Sequence, residues 1–185
     1  MRNLVRVIWI GLFTICTQVY AQANEILLDR FENEPEKRWE FFSDTVMGGV
    51  STGRVSFRNE NGKTYARMIG EVSTKNRGGF IQFRRTISKK DADGAKGVRL
   101  IVRGNNQQYF VHLRTSGTIL PWQYYQGNFE TTDGWNEIRI PLSSFKASGR
   151  ILNTKIRASS LKSIGIVAYG RNHKALVDIL EIGLY

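Results

Sequence analysis

Cysteine is nearly missing from this chain: of 185 residues, only Cys16 carries a thiol. It lies in the apolar run from Val7 to Val19, which follows Arg2 and Arg6. Val19-Tyr20-Ala21 and Ala21-Gln22-Ala23 then offer small-residue cleavage sites, and no acidic residue precedes Glu25. This is the pattern of a secretory signal peptide. The run is too short for a membrane span, and a mitochondrial transit peptide would carry Arg through it. Residues 1–23 are therefore expected to be removed. That leaves residues 24–185 in the periplasm or secreted, with no stable membrane span. Ile15 is not the small residue that precedes a lipid-modified cysteine, so Cys16 is expected to leave with the signal. The remaining chain can then hold no disulfide, thiolate metal site or catalytic cysteine. Core packing has to stabilise it.

Acidic residues are also scarce. Lys and Arg number 27 against 16 Asp and Glu, for a net charge of +11; losing Arg2 and Arg6 with the leader, and no acid, leaves +9. The cations form no single run. Arg54, Arg58, Arg67, Arg84, Arg85, Arg99, Arg103 and Arg139 are spread through alternating segments. That distribution suits the solvated faces of strands, and no nucleic-acid partner is expected. A cationic surface does attract anionic lipid or polysaccharide, less so as salt rises.

No long stretch has the 3.6-residue period of an amphipathic helix, and there is no internal repeat or linker. Period two dominates instead. Arg54 to Arg58 alternates, Asn61-Gly62 signals a tight turn, and Lys63 to Ile69 returns. Phe80 to Ile87 is a third strand. Val98 to Arg103 and Gln108 to Leu113 flank Gly104-Asn105-Asn106, which reads as a second hairpin. Tyr124 to Phe129, Trp135 to Ile140, Ser163 to Tyr169 and Ala175 to Leu184 complete the set. Short strands with Gly and Asn turns predict an all-β, antiparallel sandwich built as one domain over residues 24–185.

Catalytic chemistry has little to draw on. Gly49-Val50-Ser51-Thr52-Gly53 satisfies the G-x-S-x-G pattern, but a nucleophile elbow needs a helix after the serine, and here a period-two strand follows. A base could come only from His112, in an alternating strand, or His173, in a charged turn. No spaced His/Asp/Glu cluster suits a catalytic metal, and no carboxylate pair suits sugar hydrolysis. No enzyme activity and no cofactor are expected.

Six segments carry a family likeness: "WEFFSDTVMGGVSTGRVSF" from Trp39, then "NRGGFIQFRR", "LIVRGNNQQYFVHLRT", "PWQYYQGNF", "WNEIRIPLSSF" and "SIGIVAYG". In this order they resemble the complex I intermediate-associated protein 30 family, from about Phe31 to Tyr185. The most specific piece is SD-x-x-MGG-x-S, Ser43 to Ser51, supported by RGGF at Arg77 to Phe80 and W-x-x-x-x-IPL-x-x-F at Trp135 to Phe145. The resemblance implies a galactose-binding-like jelly-roll sandwich, akin to some carbohydrate-binding modules, and a non-catalytic protein. Mitochondrial members help assemble the respiratory NADH dehydrogenase. An exported chain would not meet that enzyme's cytoplasmic arm. The expected function is therefore a binding or assembly module acting on a protein or protein complex of the cell envelope. The alternative is a carbohydrate-binding module with a polysaccharide ligand.

Two stretches are candidate sites. In the first, Gly48 and Gly49 let the backbone take positive φ and approach a neighbour closely, while Ser43 and Asp44 can fix a turn. It reads either as a structural corner or as a partner loop anchored by Asp44, with Gly48, Gly49, Ser51 and Arg77 around it. In the second, Trp122 and Tyr124 form an aromatic platform, Tyr125 adjoins it, and Gln123, Gln126 and Asn128 could take sugar hydroxyls. The alternative is that Trp122 and Tyr124 are core residues of a strand. Trp39, Trp135 and Phe145 read as core. Jelly-roll modules of this kind often hold a structural calcium ion, for which Asp29, Glu32 and Asp178 are weak candidates; no loop has EF-hand spacing.

Overall fold

The nine period-two segments become strands in the computed structural model, which describes residues 25–185 and adds three short strands the sequence reading did not name, Ile26–Asp29, Glu40–Ser43 and Lys146–Ala147. The expected signal over residues 1–23 lies outside the described residues. One sheet runs in the order β3 (Thr52–Glu60), β4 (Lys63–Val72), β12 (His173–Leu184), β6 (Gly97–Gly104) and β9 (Asn136–Pro141). In this first sheet β1 (Ile26–Asp29) also pairs with the end of β12. The second sheet runs β10 (Lys146–Ala147), β8 (Tyr125–Glu130), β7 (Gln108–Thr115), β11 (Leu161–Tyr169), β5 (Phe80–Thr86) and β2 (Glu40–Ser43). Every pairing is antiparallel, and the two sheets form a jelly-roll β-sandwich. Among the described residues no helix is long and apolar enough to cross a membrane.

Alternation decides what each strand buries. Ala66 and Met68 on β4, Val98, Leu100 and Val102 on β6, and Val177 and Ile179 on β12 point inward from the first sheet. Ile81 and Phe83 on β5, Tyr109, Val111 and Leu113 on β7, and Ile164 and Ile166 on β11 meet them from the second. Full burial of each large aliphatic side chain contributes roughly 1.5–3 kcal/mol. At one end Trp39 packs between Phe31 and Phe83, with ring centres 5.4 and 5.1 Å away. Trp39 and Phe145 are core residues, as expected.

The Asn61-Gly62 turn forms as its residues dictate. Both have positive φ, 51° and 76°, and Glu60 pairs with Lys63, the geometry of a type I′ hairpin. The second expected hairpin does not form. β6 and β7 lie in different sheets, and Gly104-Asn105-Asn106 carries the chain across the sandwich. Both strands have one apolar face, and those faces meet across the core rather than side by side. Gly104 N–H donates to Thr132 O and Asn105 N–H to Leu176 O, so the crossing keeps its backbone groups paired.

Trp135 is not a core residue. Ile138 and Ile140 take the inward positions of β9, which leaves Trp135 on the outer side of the first sheet. There it meets Tyr65 edge-on at 5.7 Å, and the Arg103 guanidinium lies 4.4 Å from its ring centre. The arginines of this face are not simply solvated. Arg67 grips the fully buried Asp178 through Nε and Nη2, each at 2.6 Å, and Arg103 Nε donates to the same carboxylate at 2.8 Å. Arg99 bridges Glu137 and Glu181 at 2.9 Å each.

Candidate functional site

The most specific sequence motif, Ser43 to Ser51, and the supporting RGGF motif meet at one carboxylate. Asp44 follows the end of β2, and the run Arg77-Gly78-Gly79-Phe80 enters β5 beside it. Asp44 is fully buried, and four donors saturate it. Ser51 N–H reaches Oδ1 at 2.9 Å; the Ser51 hydroxyl at 2.5 Å, Gly79 N–H at 2.5 Å and Phe80 N–H at 3.2 Å reach Oδ2. Ser51 Oγ also accepts Ser73 N–H at 2.9 Å. Burial raises the Asp44 pKa. The Ser51 hydroxyl, and then the amides of Gly79, Ser51 and Phe80, outweigh that and hold it below the usual carboxylate range. The carboxylate therefore clasps three chain segments, and its full burial keeps it out of a ligand's reach. Ser51 is likewise fully buried, and β3 rather than a helix follows it, so its surroundings are not those of a nucleophile elbow.

The two glycines serve this clasp differently. Gly48 has φ 85° and ends the 3₁₀ turn Asp44–Met47, with open space where a Cβ would go. Gly49 does not have positive φ; a Cβ there would fall on the Asp44 carboxyl group. Gly48→Ala should therefore cost the strain of a left-handed residue, about 1–2 kcal/mol. Gly49→Ala should displace the carboxylate and cost about 3 kcal/mol. Melting curves check the order; a lower midpoint for Gly48→Ala would refute it. Outside the clasp, Val46 and Met47 are exposed, and Arg77 is an exposed left-handed residue with φ 59°.

The outer face of the second sheet has a different character. Tyr109, Val111 and Leu113 of β7 point inward, so Gln108, Phe110, His112 and Arg114 point out. The pairing puts Phe110 beside Asn128 and Val167, and His112 beside Gln126 and Gly165. Phe80, Gln82 and Arg84 of β5 and Phe42 of β2 extend the same face. Its rings touch one another rather than the core. Phe42 meets Phe80 at 6.1 Å, Tyr169 lies 6.2 Å from Phe110 and 6.0 Å from His112, and Tyr124 stacks on His112 at 3.9 Å. Aromatic rings interleaved with amides make a surface that can bury apolar area and still satisfy polar groups on a ligand.

Tyr124, Gln126 and Asn128 thus share one outward face, while Tyr125 turns into the core. Trp122 is 65% exposed in the turn before β8 and is not a core residue. Gln123 is buried, its Oε1 accepting the Ile119 and Leu120 amides, and so it fixes the loop. Gln126 Oε1 pairs with His112 Nε2 at 2.9 Å. The Asp44 clasp and the Trp122 turn lie at opposite ends of this sheet. Ser43 pairs with Ile81 at one end, and Tyr125 pairs with Leu113 near the other. The sequence reading missed Phe42, Phe80, Phe110, His112 and Tyr169. Their signal was parity: Phe80 and Phe110 are large apolar residues on the side of the alternation opposite Ile81 and Val111.

His112 is neutral in this setting. Burial pushes its pKa down to about 4, partly opposed by the bond to Gln126. The unfolded imidazole, near 6.5, binds its proton first. Stability is therefore full above that value and falls as pH drops from 6.5 to about 4. His173, also lowered by burial, adds to the same trend. NMR titration should give His112 a midpoint near 4; a midpoint near 6.5 would contradict its burial.

The calcium candidates do not form a group. Asp29 receives Phe31 N–H, Trp39 Nε1 and the guanidinium groups of Arg38 and Arg85, while Asp178 is held by Arg67 and Arg103. Glu32 is exposed and contributes its backbone carbonyl to Arg38. Cations already occupy both buried carboxylates. Among the described residues no group of three or more His, Cys, Asp and Glu could hold a metal ion.

Solved structures with this fold include the family 11 carbohydrate-binding module of a cellulosomal cellulase from Clostridium thermocellum. It is 16% identical with a TM-score of 0.71, covering 86% of this chain and 93% of that one. A structure of the family 11 module from Clostridium thermocellum in complex with a β-1,3-1,4-mixed-linked tetrasaccharide is 15% identical with a TM-score of 0.69, over 86% and 94%. The family 30 module of another cellulosomal cellulase of that organism is 13% identical with a TM-score of 0.51, over 72% and 82%. At such identities the likeness establishes the fold alone. No curated protein matches the chain significantly. Residues 30–177, which include both motifs at the Asp44 clasp, match the profile of complex I intermediate-associated protein 30, and the chain belongs to that family.

Proposed function

We propose that this protein is a non-catalytic binding or assembly module of the cell envelope, and that it docks a polypeptide of a protein complex on the outer face of its second sheet. The observation that carries this reading is the aromatic and amide surface around Phe110, which stands apart from the core. Family membership supports a protein complex as partner. The expected export signal supports the envelope as its place. The buried state of Ser51 supports a non-catalytic role.

Crosslinking followed by pull-down from whole cells tests it. The wild-type protein should capture a defined partner, and Phe110→Ser should lose it while melting normally. Capture that survives Phe110→Ser would rule this face out. A second reading, carbohydrate binding, is favoured by the same face, because rings can stack on sugars while Gln82 and Asn128 take hydroxyls. A glycan array with Trp122→Ala and Tyr124→Ala decides it: a glycan held by wild type and lost by either variant would replace the first reading.

A further inference from the structure

At the Trp122 end of the second sheet, its outer face runs into a cleft of about 440 Å³ whose lining includes Arg38, Arg84, Arg85, Arg114, Lys162 and Glu40. Separate elements bring these charges together. Arg84 and Arg85 come from β5, Arg114 from β7, Lys162 from β11, Glu40 from β2 and Arg38 from the segment before it. Like charges so close repel unless something neutralises them.

The internal partners account for part of that charge. Arg38 and Arg85 share Asp29, behind the cleft, at 2.7 to 3.1 Å. Glu40 faces Arg84 at 3.4 Å, with the Glu40 side chain largely in solvent and that of Arg84 mostly covered. Arg114 is different. Its Nη2 donates to the carbonyls of Thr118 and Leu120, at 3.1 and 3.0 Å, and among the described residues it has no carboxylate partner. Burial, and then the charge of Arg84, weaken its hold on its proton. A half-buried guanidinium beside a second one, with carbonyls alone for company, is completed by an added anion.

Two of the cleft's arginines, Arg38 and Arg85, already clasp a carboxylate, that of Asp29 behind it, through charge-assisted hydrogen bonds. Arg84 and Arg114 lie on the same side of their strands as Gln82 and Phe110. A chain laid along the aromatic face therefore reaches the cleft at its end. Resting on the docking reading above, we propose that this cleft seats the carboxylates of an acidic segment of the partner polypeptide.

Fluorescence anisotropy with a labelled oligo-glutamate peptide tests this. Arg84→Gln/Arg114→Gln should weaken binding by about tenfold or more. Because Arg114 also ties its loop, Arg84→Gln/Lys162→Gln serves as a second variant with the same expected direction. Arg54→Gln/Arg58→Gln, on exposed positions of β3, removes equal charge and should leave binding nearly unchanged. An equal loss in that control would reduce the effect to overall charge and overturn the proposal. So would oligogalacturonate binding more tightly than oligo-glutamate with the same arginine dependence, which would make the ligand an acidic glycan. In the pull-down, a partner lost with Phe110→Ser but retained by both cleft variants would sink the cleft alone. No partner captured by wild type would sink the docking reading itself.

Discussion

Asp44→Ala is expected to lower the melting temperature by about 10 °C. The substitution leaves the N–H groups of Ser51, Gly79 and Phe80 and the Ser51 hydroxyl without their common acceptor, in a place water does not reach. Stranding such a set costs about 3–5 kcal/mol. A domain has only about 5–15 kcal/mol in total, and one of this size loses roughly 2–4 °C per kcal/mol. The effect also has a pH signature. The folded Asp44 pKa is depressed, so its contribution is fully present above the ordinary carboxylate value, near 4. It is lost as pH falls through the lower folded value. Below about pH 4 the variant should therefore lose stability with acid less steeply than wild type. A buried, saturated carboxylate further implies that partner binding declines only in step with stability. Normal melting with binding abolished would instead place Asp44 in the partner loop. A midpoint within about 2 °C of wild type would remove the clasp as a stabilising feature.

Asp178→Asn should cost a similar amount, about 3–5 kcal/mol, for a different reason. Arg67 and Arg103 converge on this one carboxylate beneath Tyr65 and Trp135. An amide in its place leaves two half-buried guanidinium groups facing each other. Arg103 keeps Glu60 at 2.9 Å, but Arg67 has no second carboxylate among the described residues. Replacing all three charges together, Arg67→Met, Arg103→Met and Asp178→Leu, should recover most of the loss, because an apolar cluster of similar volume has no charge to desolvate. Denaturant melts of the single and triple variants measure this. A triple variant no more stable than Asp178→Asn would show that the ion pairs stabilise the sheet in themselves.

Much of the architecture was legible in order. Period two, the Asn61-Gly62 turn and the lack of helical periodicity predict the strands and the antiparallel sandwich, because side-chain alternation and a turn requiring positive φ are local properties. The motifs from Ser43 to Phe145 likewise mark the family in one dimension. Sequence could also say that Gly48 or Gly49 was needed, but not why. Only the fold shows that Gly48 is needed for its φ and Gly49 for the space of the Asp44 carboxylate.

What the tertiary structure decided was which of these local pieces meet. Asp44 and the amides of Gly79 and Phe80 stand 35 and 36 positions apart, and no spacing rule joins them. β6 and β7 have the look of a hairpin and yet enter opposite sheets, because two amphipathic strands bury their apolar faces as well across a core as beside one another. The side of the alternation that faces out is fixed by which strands pair and by what the opposite sheet covers. That choice alone turns Phe80, Phe110 and Tyr124 from ordinary strand residues into a surface, and it gathers arginines from separate strands into one cleft.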